Sequence, residues 1–156
     1  MFIAEGTKLF KDPWAARDDY VRILLDGSAA SRESFMARHR RRKLSQKRTQ
    51  RAFDLLEIQR LSLLCYTSCG WFFGDPTRVE TTQILSYAAR AVELAREVFL
   101  VGLDDGFARL LADVPCTDER YRHGGDIYEA VGREAASASI NPASGDVVGR
   151  SAGVLM

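Results

Sequence analysis

Apolar residues recur at helical spacing through most of this chain, and no segment alternates apolar and polar positions long enough to argue for a sheet. The clearest stretch runs from Glu80 to about Val101. There Ile84, Ala88, Ala91, Ala95 and Val98 step by four, three, four and three, with Leu85, Val92 and Phe99 in a parallel row. Small residues along that seam let a partner helix approach closely. The expected partner spans about Thr49 to Thr67. Its Ala52, Phe53, Leu55, Leu56, Ile58 and Leu61, with Leu63 and Leu64, spread around much of the cylinder, which marks a central helix with neighbours on more than one side. The seam is expected to pack on the face that carries Leu56 and Leu63.

Shorter helices fill the rest. Asp12 is placed to cap one, with Pro13 at the first helical position, where a missing N–H is no loss. Trp14, Tyr20, Val21, Leu24 and Leu25 give it an apolar side, and Asp26-Gly27 ends it. Ser31 is the expected cap of a short helix carrying Phe35 and Met36. Thr77 and Glu80 have the spacing of a capping box, and Gly102 is the expected stop of the helix that follows. Phe107, Leu110 and Leu111 mark a helix from Asp105 to Asp113, ended by Pro115. Gly124-Gly125-Asp126 leads into a last piece, Ile127 to Glu134. The fold class is therefore all-α, a helical bundle of two long helices and several short ones, over residues 1–135. Residues 136–156, rich in Ala, Ser and Gly, show no helical period, which predicts a disordered or divergent tail.

Composition narrows the function. The 22 basic and 21 acidic residues nearly cancel, so no overall field points to nucleic acid or an anionic membrane. No apolar run approaches the roughly 20 residues needed to span a bilayer, and the first ten residues lack the pattern of a signal peptide. Three cysteines cannot all pair, so reduced thiols and a cytoplasmic location are expected.

The most informative stretch is Tyr66-Thr67-Ser68-Cys69-Gly70-Trp71-Phe72-Phe73-Gly74-Asp75, which closes one helix before another opens. Three consecutive aromatics there must either plug a helix corner or present a docking or sugar-stacking face. The segment Thr67–Asp75, with Glu80–Leu85 and Tyr87–Ala91, resembles the bacterial domain of unknown function 3536, as do Lys11–Asp18 and Leu55–Arg60. The resemblance runs from about Glu5 to Arg133, in separated matches that keep their order.

That resemblance implies the helical C-terminal domain of a protein similar to glycoside hydrolase family 57, hence a role in carbohydrate metabolism. The implied partner is an N-terminal catalytic barrel, and the implied ligand class is an α-glucan or another oligosaccharide. In that family the nucleophile and the acid/base lie on the barrel, and no β/α alternation is present here to build one. The helical region contributes cleft-lining residues, including a Trp in a Ser-Asp-Trp-Phe type segment. Trp71-Phe72-Phe73 is similar to it, but Gly70 stands where those enzymes carry Asp. The implied cleft or docking residues are Trp71 and Phe72, with Ser68, Cys69 and Asp75 as neighbours.

Other constellations carry less. Arg38, Arg40, Arg41, Arg42, Lys43, Lys47, Arg48 and Arg51 run without an intervening acid, the pattern of a polyanion binder. No aromatics interleave to stack bases, so a solvated connection into the central helix is preferred over nucleic-acid binding. Cys65 and Cys69, with Cys116 and His39 or His123, make a zinc set only on paper, because the second close pair is absent. No metal and no cofactor are expected. Asp75 and Glu80 flank the aromatic corner but have structural roles at a helix start, so glycosidase activity is not expected of the chain alone. Glu57, an acid in the crowded central helix, is either a polar contact at the domain joint or a partner of Arg60.

Overall fold

The computed structural model describes residues 1–139. Its helices are α1 (Phe2–Leu9), α2 (Pro13–Asp19), α3 (Val21–Leu25), α4 (Ala29–His39), α5 (Gln46–Leu64), α6 (Cys69–Phe72), α7 (Val79–Phe99), α8 (Asp104–Leu111) and α9 (Gly124–Ser139). The described residues hold no strand, only isolated bridges between Phe10 and Arg40 and between Pro115 and His123. The fold is an all-α helical bundle in which α5 and α7 are the two long members.

Local chemistry sets the helix starts. The Asp12 carboxylate accepts the N–H of Trp14 at 2.9 Å and of Ala15 at 3.1 Å, so α2 begins where the sequence indicates. Ser28 and Ser45 cap α4 and α5 through their hydroxyls. Ser31, expected to be the cap of α4, is instead the residue whose N–H the Ser28 hydroxyl accepts. The capping box before α7 does not form. Both the N–H and the hydroxyl of Thr77 donate to the Asp75 carboxylate, at 2.9 and 2.8 Å, because a charged acceptor two residues back outcompetes the helix start. Nor does Gly102 stop that helix. The residue in the left-handed conformation is Leu100, at φ 57, whose N–H closes on the Arg96 carbonyl at 2.9 Å.

Two apolar cores meet on α7. The larger gathers Phe2, Leu9 and Phe10, Ile23 and Phe35, the broad face of α5, and Leu94, Ala95 and Val98. The smaller joins Leu85 and Ala89 to Ile127 and Tyr128, with Phe107 and Leu111 partly buried beside them. α5 packs on α7, α1 and α2, as its wide apolar face requires. Leu56 is fully buried there, but Leu63 is 62% exposed and lines a shallow groove with Leu24 and Arg60, away from the α7 seam. Along α2 and α3 the buried positions are Pro13, Ala16, Tyr20 and Ile23, while Trp14, Val21, Leu24 and Leu25 face outward. The helix α1, with Phe2, Gly6 and Leu9 on its buried side, was not expected. α9 extends through Ser139, so its last turn enters the stretch expected to lose order. The rest of that expectation, residues 140–156, lies outside the described residues.

Candidate functional site

The aromatic corner is built by one close approach. Gly70, buried in α6, faces Ile84 of α7, and a Cβ added to it would lie 2.0 Å from Ile84 Cδ1 and 3.2 Å from the Glu80 carbonyl. The Thr81 hydroxyl donates to the Gly70 carbonyl at 2.8 Å and fixes the approach. Glycine is therefore a packing requirement, and the aspartate that the resembling segment carries has no room here.

This clamp turns Trp71 across an apolar groove of about 410 Å³, lined also by Ser62, Cys65, Tyr66, Ala88 and Phe107. The indole Nε1–H donates to the Cys65 carbonyl at 2.8 Å, which orients the ring and leaves it 56% exposed. Phe72 is 80% exposed and meets Phe73 edge-on at 5.2 Å, while the Arg78 guanidinium lies over the Phe73 ring at 4.7 Å. Tyr66, at 85%, is the most exposed ring on the rim.

The other residues singled out from the sequence do not converge on this groove. Ser68 precedes α6 and its hydroxyl caps nothing. One Asp75 oxygen is taken by Thr77 and the other by the Thr117 hydroxyl, so Asp75 ties the corner to the 115–118 loop. The Thr117 bond, then those from Thr77, hold its carboxyl below the usual carboxylate range. Glu57 faces α2 instead. It accepts from Arg60 Nε at 2.8 Å and Nη2 at 2.5 Å, and from the Tyr20 hydroxyl at 3.2 Å. Burial first, then the Glu57 charge, pushes the Tyr20 hydroxyl well above its ordinary value, so it stays a donor.

The thiols are not arranged for chemistry. α5 ends at Leu64 and α6 begins at Cys69, so Cys65 and Cys69 do not share a helical face. Cys69 is exposed rather than buried, and burial raises the pKa of the half-buried Cys65 and Cys116, the opposite of nucleophile activation. Among the described residues no group of three or more His, Cys, Asp or Glu could hold a metal ion.

Three residues of the basic run, Arg41, Arg48 and Arg51, close helix ends. Arg41 donates to the Thr7 carbonyl at 2.9 Å and Arg48 to the Lys8 carbonyl at 3.2 Å, both in the last turn of α1. Arg51 bridges Glu5, at 3.1 Å, and the Val98 carbonyl near the end of α7. Lys11 donates to the Arg38 carbonyl at 2.9 Å, at the end of α4. Cations there satisfy orphan carbonyls and complement the negative pole of each helix. Arg40, Arg42, Lys43 and Lys47 remain on the exposed surface.

Sequence reading reached Trp71 and Phe72 but not the groove beside them. Its lining comes from α5, α6, α7 and α8, and no single-segment period could reveal it. A protein-family model described as Domain of unknown function (DUF3536) matches residues 1–141. That match reaches past Arg133, the expected end of the resemblance. No curated protein and no solved structure matches the chain.

Proposed function

The chain belongs to the DUF3536 family, and on that premise we propose that it is a non-catalytic helical domain docking against the catalytic barrel of a larger protein similar to glycoside hydrolase family 57. The observation that carries this reading is the aromatic corner. Tyr66 and Trp71 line an apolar groove and, with Phe72 next to Trp71 in the chain, present three large rings to solvent. Soluble surfaces seldom keep such a patch uncovered unless a partner meets it. Aromatic anchors of this kind dominate interface energetics.

The chemistry favours protein docking over direct recognition of an α-glucan or another oligosaccharide. Sugar hydroxyls seek polar groups, yet the indole N–H is spent on Cys65 and the Asp75 carboxylate on Thr77 and Thr117. Hydrolysis would need two carboxyl groups facing each other at roughly 5–9.5 Å, and that pair is assigned to the barrel. Alone, the chain should show no turnover of α-glucans or aryl glycosides.

The test is a titration of the purified chain against a separately expressed barrel taken from a protein in which the two regions are fused. Saturable binding is expected, with Trp71→Ala and Phe72→Ala each weakening it about tenfold or more, the scale of an interface hot spot. Both variants should melt near the parent temperature, because both rings are exposed. Absence of saturable binding, or variants that bind like the parent, would overturn the assignment.

A further inference from the structure

The near neutrality of the whole chain conceals a segregation of charge. Residues 1–60 carry 14 basic and 8 acidic side chains, whereas residues 61–156 carry 8 and 13. The basic excess gathers where α4 joins α5. There Arg40, Arg42, Lys43 and Lys47 are exposed, and their side chains form no hydrogen bond or ion pair among the described residues. The carboxylates that neighbouring cations reach are already shared. Glu5 is held by Lys8 at 2.6 Å and Arg51 at 3.1 Å, and Asp19 by Arg22, Arg38 and His39.

A merely solvated connection needs no bracing, yet this one is fixed along its length. Arg40 bridges to Phe10, the Arg41 N–H donates to the Leu9 carbonyl at 2.9 Å, and the Lys11 N–H to the His39 carbonyl at 2.9 Å. Leu44 packs against the larger core, and the Ser45 hydroxyl caps α5. Arg42 and Lys43 therefore stand on a loop anchored on both sides. Holding like charges in place costs self-repulsion. It also removes the ordering cost of meeting an opposite charge, so the loop is pre-organised for an anionic partner.

The kind of anion follows from what the surface lacks. The exposed positions between residues 40 and 47 carry no apolar or aromatic side chain. A protein interface builds an apolar core enriched in aromatic rings, and this chain keeps such a surface at its aromatic corner instead. Single-stranded bases also need rings to stack on. What remains is recognition of a phosphate backbone, where charge alone binds and positions the partner. The guanidiniums of Arg40 and Arg42 suit it, since their forked N–H groups match phosphate oxygens in pairs.

We propose that this braced loop, through Arg40, Arg42, Lys43 and Lys47, binds a chain of phosphates without reading bases. The surface is independent of the aromatic corner and of the docking assigned to it. A short labelled DNA duplex and inorganic polyphosphate, each titrated against the full chain at several salt concentrations, are the probes. Saturable binding is expected, and the tighter probe identifies the source of the phosphates. For the duplex, log K should fall with log salt at a slope of roughly −3 to −4, as for four neutralised phosphates. Arg40→Gln, Arg42→Gln, Lys43→Gln and Lys47→Gln combined should weaken binding about tenfold or more and flatten the slope, and Arg42→Gln alone should reduce it by about 1. The four side chains make no polar contact, so the combined variant should melt with the parent. Arg109→Gln, which removes an exposed cation from the acidic half, should bind like the parent. Absence of saturable binding to both probes, or a combined variant that binds like the parent, would overturn the proposal. So would displacement of the duplex by poly-glutamate as readily as by polyphosphate, which would assign the surface to an acidic protein.

Discussion

Gly70→Ala probes the contact that builds the aromatic corner. The added methyl would lie 2.0 Å from Ile84 Cδ1, 2.8 Å from Ile84 Cγ1 and 3.2 Å from the Glu80 carbonyl. The Cδ1 methyl ends a side chain that borders the groove and can swing aside, but Cγ1 and the carbonyl cannot without moving α6 from α7. The Thr81 bond to the Gly70 carbonyl resists that movement. Overpacking of this kind costs roughly 1–3 kcal/mol, and alanine returns about 0.5–1 kcal/mol of helix propensity. A net loss of about 1–2 kcal/mol follows, or roughly 2–8 °C in melting temperature for a domain of this size. Thermal unfolding followed by circular dichroism reads it directly. Ile84→Val alone should cost about 0.5–1.5 kcal/mol, yet combined with Gly70→Ala it should cost less than the sum, since it removes the clashing methyl. A Gly70→Ala protein that melts at or above the parent temperature, or a strictly additive double variant, would refute the clamp.

Three further outcomes are expected. Leu100→Gly should stabilise by about 1 kcal/mol, because Leu100 is exposed and its left-handed backbone is costly for any residue with a Cβ; chemical denaturation showing a loss would contradict this. Asp12→Ala should cost about 1 kcal/mol by leaving the Trp14 and Ala15 N–H groups unpaired at the start of α2, measurable as a lower denaturation midpoint. Asp19 accepts from His39, Arg22 and Arg38, which hold its pKa at about 2 against an ordinary 3.8. A depressed carboxyl stabilises the fold above its unfolded pKa, and that contribution fades as pH falls from 3.8 through 2. Asp19→Asn should therefore melt below the parent at pH 7 and converge with it near pH 2; equal melting at pH 7 would show that the cluster adds nothing.

The long helices were legible because burial itself has a period. Ile84, Ala88, Ala95 and Val98 are buried where their spacing puts them. The broad apolar face of α5 announced several neighbours but not which side each would take, and Leu63 shows the cost of that ambiguity. α1 escaped notice because the middle of its buried stripe is Gly6, which carries no hydrophobic signal and is needed for a Cβ-free approach to Pro13. The capping box failed for another reason. Its spacing was correct, but Asp75 offered Thr77 a stronger acceptor than the helix could. At the corner, Trp71 was visible in the sequence, whereas the carbonyl that orients its indole and the groove beside it depend on four elements meeting.

The helix α1 is eight residues long, shorter than the roughly 12–15 at which an isolated helix begins to hold in water. Its carbonyls are closed by Arg41 and Arg48, and Glu5 is held by Arg51, each contact spanning 34 to 46 positions along the chain. The persistence of α1 is thus governed from outside itself. When the 41–51 segment opens, the amides of α1 should exchange with solvent together with it, as one cooperative unit, although the two are distant in sequence. Three of the cations that resembled a surface for binding others act as the latch by which this chain keeps its own N-terminal helix.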